Sequence, residues 1–174
     1  MADLNELIGN TGEFISKVLS ALYKDKIDVS SLDIDHLCYR SNSDEEYEQL
    51  KSRLKKLAWR LDESEINSRL IGVYILKEPM RYMSREIYCL ELCAPKKSAD
   101  LSSGLEHLEF VIGEDFEDFM QKYPHVKFDQ EDVYKSRNPG IKIRYDGFKV
   151  KFHHQALEDV VRKEKLLNGK KRIK

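Results

Sequence analysis

The order strand, helix, three strands occurs twice along this chain, and internal duplication of that kind decides a fold when it is real. In the first unit "DIDHLCYRS" reads as a strand and "SDEEYEQLKSRLKKLA" as a helix. Ser43 or Asp44 caps that helix, and Tyr47, Leu50, Leu54 and Leu57 form its apolar stripe. "WRLDESEI", "RLIGVYILK" and "REIYCLELCA" follow as runs rich in β-branched and aromatic residues. In the second unit "GLEHLEFVI" is the strand and "EDFEDFMQKY" the helix. "VKFDQEDVY" looks extended, and "IKIRYD" and "FKVKFHH" are strands joined through the Asp146–Gly147 turn. The repeat lies in the order of elements rather than in the letters. The expected layout is an N-terminal helical extension over 1–30, a βαβββ module over 31–97, a second over 104–155, and a C-terminal helix with a basic tail over 156–174, all in one compact domain.

Strand side chains alternate between faces. Ile34, His36, Cys38 and Arg40 then share one face of the first strand, and Leu37 and Tyr39 the other. Cys89, Glu91 and Cys93 oppose Tyr88, Leu90 and Leu92; His107 and Glu109 oppose Leu108 and Phe110; Lys149, Lys151 and His153 oppose Val150 and Phe152. Glu106 falls on the helix-facing side by this count. Each of these four strands has an apolar face for helices to cover and a polar face carrying one His or Glu. The polar face reads in two ways. It is the wet side of an antiparallel sheet, or it lines a cleft where His36, Glu91, His107 and His153 converge. Three imidazoles and a carboxylate are a sound donor set for a divalent ion.

Around that set, Glu109 lies one step beyond His107 on the same face and is a candidate catalytic base. Arg40 and Arg69 are candidates to hold a substrate carboxylate or phosphate. Lys151 is a further substrate-side candidate. By parity His154 points away from His153, His125 belongs to an exposed loop, and Asn138–Pro139–Gly140 is a turn first.

Net charge bounds the partners. With 30 basic and 31 acidic residues the formal charge is −1, which favours neither nucleic acid nor an anionic membrane. Three cysteines without a CxxC pair argue for a reducing compartment. "MADLNELIGN" carries no leader pattern, and no run is long enough for a membrane helix, so the expectation is a cytoplasmic protein.

Several motifs carry a resemblance. The "DH" of "DIDHLCYRS", the "LEL" of "YCLELCAP", "EHLEF", and "VKFH" near the end are similar to the vicinal oxygen chelate superfamily, which holds glyoxalase I, extradiol dioxygenases and bleomycin-resistance proteins. "IN" ahead of Arg69, "KEP" after that strand, and "RNP" at 137–139 resemble the narrower YecM-like family of metal-binding proteins within that fold. The likeness covers about residues 30–155. It implies an α+β fold of paired βαβββ modules forming a curved, partly open β-barrel with a metal in the cleft. It places His36 and His107 as first-strand ligands and Glu91 and His153 as last-strand ligands. His153 departs from the glutamate that many superfamily members have there, so glyoxalase activity is not implied. The expected cofactor is a divalent ion: zinc, or iron, manganese or nickel. The expected function is an isomerase, lyase or oxygenase step on a small oxygen-bearing substrate. The alternative is a non-catalytic module that binds a small anion or a metal. The sequence leaves the oligomeric state open.

Overall fold

A computed structural model describes residues 3–96 and 102–171. Seven strands form one sheet: β1 (Ile34–Arg40), β2 (Ala58–Ile66), β3 (Arg69–Tyr82), β4 (Arg85–Cys93), β5 (Gly104–Val111), β6 (Gly140–Tyr145) and β7 (Phe148–His153). Their spatial order is β2-β3-β4-β1-β5-β7-β6. β1 runs parallel to β4, and β5 parallel to β7, so each module closes its last strand back beside its first. The two modules then meet along the antiparallel β1–β5 pair, where the chain's pseudo-twofold lies.

The helices are α1 (Leu4–Ile8), α2 (Thr11–Lys24), α3 (Asp44–Leu54), α4 (Phe116–Gln121) and α5 (Leu157–Lys171). Ser43 caps α3, its hydroxyl accepting from the Glu46 amide at 3.1 Å. Ile15, Val18 and Leu22 of α2, Tyr47, Leu50 and Leu54 of α3, and Phe116 and Phe119 of α4 are buried. They share one core with Leu37, Leu90, Leu92, Leu108, Phe110, Val150 and Phe152 from the sheet. Each such side chain contributes about 1.5–3 kcal/mol. That core fixes one face of the sheet towards the helices and leaves the other face for chemistry. On that second face α5 covers a smaller patch, where Leu157 and Val161 pack on Val73 and Cys89.

The sheet does not close. β2 and β6 are its two edges, yet Ser64 of β2 and Ile141 of β6 line one cavity. The sheet therefore curls around its polar face, as an open, curved half-barrel. The second module departs from the first in one element. Residues 126–134, expected to be extended, make only an isolated bridge between Asp129 and Lys142 and then turn. The Asp129 carboxylate accepts the Glu131 amide at 3.0 Å, a local bond that competes with strand pairing. Among the described residues no helix is long and apolar enough to cross a membrane.

Candidate metal centre

Two β-bulges shape the polar face. In the β1–β5 ladder Ile34 pairs with Phe110 but His36 with Glu109, so Asp35 is an extra residue in β1. Cys38 pairs with His107 but Tyr39 with Leu105, so Glu106 is an extra residue in β5. Strict alternation therefore misplaces two residues. Ile34 lies in the helix-side core rather than beside His36. Glu106 turns to the polar face rather than towards the helices, and lines a cavity there with His107. Asp35, the residue that alternation passed over, joins the cluster. Each bulge residue is the acid directly before the module's histidine, and the paired "DH" and "EH" dipeptides are the signal that could have found both.

The cluster is compact and dry. His36, His107, Glu109 and His153 are all buried. The His36 ring lies 5.9 Å from that of His107 and 6.2 Å from that of His153, centroid to centroid. His107 Nε2 stands 3.0 Å from Glu109 Oε1 and 3.4 Å from Glu91 Oε2. His36 Nε2 stands 3.5 Å from Glu109 Oε1, and His153 Nε2 stands 3.6 Å from Glu109 Oε2. One donor atom each from Asp35, His36, Glu109 and His153 lies within 4.8 Å of the others, and so do donors from His36, Glu91 and His107. The four ligands expected from sequence thus fall into two groups that share His36, with Glu109 between them.

Outer contacts orient the rings. Asp35 Oδ2 lies 2.7 Å from His36 Nδ1 and can only accept, which puts that ring's proton on Nδ1 and turns Nε2 inward. Asn138 Oδ1 does the same for His153 Nδ1 at 2.8 Å. Asn138 holds the left-handed conformation, φ 45°, so the turn and the site are one element. Asp35 also lies 3.2 Å from His153 Nε2 and accepts the first amide of α5, that of Leu157, at 3.0 Å.

The charges follow from these contacts. Burial opposes ionisation of Asp35, but the neighbouring His153 and His36 rings bring its pKa down to about 2. Burial also opposes a charge on His36, and the Glu109 and Asp35 carboxylates outweigh it, lifting its pKa well above the usual histidine value. Glu109 is held well below the carboxylate range, against burial, by the charges of Lys151 and His36. Lys151 Nζ contacts Glu109 Oε1 and lies 3.1 Å from His107 Nε2.

The residues present suit a divalent ion. Nε2 of His36, Nε2 of His153 and Nδ1 of His107 are buried and have no hydrogen-bond partner among the described residues. Such orphans are rare in a finished interior and are what missing coordination would leave. Next to them Cys38 Sγ and Cys93 Sγ stand 3.4 Å apart as buried free thiols, and Cys93 donates to Glu91. His154 stacks on Phe116 and His125 is exposed, so neither reaches the cluster.

The two arginines separate. Arg69 lines the cleft. Arg40 does not: its guanidinium lies 3.1 Å from Glu106 and donates to the Ser102 carbonyl. Lys149 Nζ completes the Glu106 pair at 2.8 Å. Burial would raise the Glu106 pKa, but Lys149 and the His107 and Arg40 charges bring it down from 4.5 to about 2. A carboxylate depressed on folding stabilises the native state above its unfolded pKa. That contribution, roughly 3 kcal/mol, is lost as pH falls from about 4.5 to about 2. Urea midpoints across that range should fall steeply for the wild type and less steeply for Glu106→Gln. Parallel curves would refute the assignment.

A family model described as YecM protein matches residues 3–164. An uncharacterised protein of Haemophilus influenzae (strain ATCC 51907 / DSM 11121 / KW20 / Rd) is 28% identical over 110 residues, covering 63% of this chain and 58% of that protein. The chain spans less than two thirds of that relative's length. Among solved structures, the structural-genomics protein EC4020 superposes with a TM-score of 0.71 at 22% identity, over 94% of this chain and 97% of that one. Identity that low shows a shared fold. A hypothetical protein from Bacillus halodurans C-125 is similar at 16% identity and a TM-score of 0.49, over 72% of this chain and 95% of that one.

Proposed function

We propose, for a chain that belongs to the YecM protein family, that the curled face of its sheet is a divalent-metal site for a small oxygen-bearing substrate. The observation that supports this most is that donors of Asp35, His36, Glu109 and His153 converge, as do those of His36, Glu91 and His107, with Nε2 of His36 and Nε2 of His153 buried and unpartnered among the described residues. His36, His107 and His153 with Glu91 or Glu109 would hold the ion. Imidazole and carboxylate donors suit zinc, iron, manganese or nickel alike. When bound, such an ion supplies a Lewis acid for negative charge developing on a substrate oxygen, chemistry that isomerase, lyase and oxygenase steps all use.

The chain's own groups have separate tasks. Asp35 and Asn138 keep protons on the outer nitrogens of His36 and His153. Both Glu109 oxygens are engaged by histidines, so its role in this reading is that of a ligand rather than a free base. Lys151 presents an ammonium at the cluster's edge, where it can hydrogen-bond a substrate oxyanion. The cleft beside these groups has a volume of about 500 Å³ and admits a small molecule.

Lys151 also favours a second reading. Its ammonium already meets Glu109 and His107, and could stand in for a metal ion in a non-catalytic binding cleft. Zinc titration of chelator-treated protein, followed by metal analysis and thermal unfolding, separates the two. The metal reading expects about one ion per chain, with a Tm gain of about 5–10 °C at saturating zinc. Metal well below one per chain with an unmoved Tm would leave the second reading standing.

A further inference from the structure

Beside the histidine cluster the cleft opens into a second cavity of about 480 Å³. The two share Asn67, Arg69, His107, Asp132, Lys135 and Lys151 in their walls. Seven cationic side chains line the second cavity against three acidic ones, an excess of four positive charges. Five of the seven are matched. Lys142 lies 3.1 Å from Asp132 and 3.2 Å from Glu131, and Arg144 lies 2.6 Å from Asp129. Lys135 pairs with Asp132, Lys149 with Glu106, and Lys151 with Glu109. Among the described residues Arg69 and Lys96 have no ion-pair partner and the buried Arg69 Nη1 has no hydrogen-bond partner.

We propose that Arg69 and Lys96 form an anion subsite that takes the carboxylate or phosphate group of a small acid. The backbone holds Arg69 in place. Asn67 and Ser68, at φ 52° and 60°, form the two-residue turn of the β2–β3 hairpin, and Arg69 is the first residue after it. A planar guanidinium with an unused buried nitrogen is built for an oxyanion. Lys96 stands at the solvent edge of the same cavity. Its ammonium is disfavoured by partial burial and by the charge of Lys149, with the Glu106 carboxylate opposing and the charges of Arg69 and Arg40 adding, and the net crowding is what an anion relieves. The shared wall places the subsite next to the metal cluster. A molecule held there by its anionic end would extend its other oxygens towards His107. That last step, the anion as the tail of the substrate, rests on the metal-site reading; the subsite itself does not.

The test titrates metal-free protein with inorganic phosphate and, separately, with succinate, at ionic strength held constant with chloride. Isothermal calorimetry reads the binding. Saturable binding of either probe is expected, weakened at least about tenfold by Arg69→Gln and about threefold or more by Lys96→Gln. Zinc uptake should be unchanged in both variants. Binding that never saturates, or that neither substitution weakens, overturns the subsite. Should Arg69→Gln fail to fold, the exposed Lys96→Gln decides alone. Anion binding that depends on Arg69 in a protein that takes no zinc removes the metal reading and keeps the subsite. Zinc uptake without anion binding does the reverse.

Discussion

His36→Ala is expected to empty the cleft of metal, with the ion falling from about one per chain to near zero after dialysis. His36 is the one side chain common to both donor groups, so its loss leaves neither group with enough ligands for a four-coordinate ion. The same substitution removes one partner of Asp35 Oδ2 and uncovers part of Glu109. The metal-free protein should therefore also lose about 1–3 kcal/mol. His125→Ala, at an exposed loop histidine outside the cluster, is the control and should leave metal content unchanged. Full metal occupancy in His36→Ala, measured on folded protein, would end the proposal of a site built on this cluster.

Asp35→Ala is expected to have the largest effect on stability. Asp35 is almost fully buried, ionised, and bonded to His36, His153 and the Leu157 amide, so three elements hang on one carboxylate. Removing one member of a buried charged network costs about 3–5 kcal/mol. The lost cap on α5 accounts for about 1 kcal/mol of that. Metal affinity should fall about 10–100-fold as well, because the His36 ring loses the acceptor that turns it. Urea unfolding monitored by circular dichroism gives the first number, and competition with a chromogenic chelator gives the second. A loss under about 1 kcal/mol would show that the rings are held by packing alone.

Much of this fold was legible in the sequence, because the information sits in local patterns. Alternation in 89–93 and 148–153 assigns those residues to their observed faces, but it fails at the start of β4, where Ile87 lies in the helix-side core and Tyr88, expected to face the helices, is exposed. The stripe Tyr47, Leu50 and Leu54 defines the buried side of α3. His36, Glu91, His107 and His153 were legible as a set because they lie on the first and last strands of each module, which are the strands that meet at the centre of the sheet.

What was not legible depends on pairing between distant strands. A bulge is a mismatch of register across two strands, so nothing within "DIDHLCYR" taken alone shows that Asp35 is the extra residue. Asp35 and Glu106 were missed for that reason. Arg40 shows the same limit. Its placement on the polar face was right, but its partner Glu106 was on the wrong side of the count, so the ion pair that occupies it was invisible. The strand expected at 126–134 failed because Asp129 bonds its own backbone, a local preference that the apolar pattern does not show.

The two bulges have a consequence for how this chain can be edited. Without Asp35 and Glu106 the remaining β1 and β5 residues form an unbroken alternating ladder: Ile34, Leu37 and Tyr39 opposite Phe110, Leu108 and Leu105, and His36, Cys38 and Arg40 opposite Glu109, His107 and Gly104. One bulge advances the register by a residue and the other sets it back, so both ends of the ladder stay in phase. Neither acid has a partner in the β1–β5 ladder. They are two inserted letters, one per module and each at the step before a histidine: Asp35 orients His36 and caps α5, and Glu106 pairs with Arg40 and Lys149. A chain with both letters deleted would keep the pairing pattern of the sheet and lose the acceptor that orients His36 and the acid that holds Arg40 and Lys149.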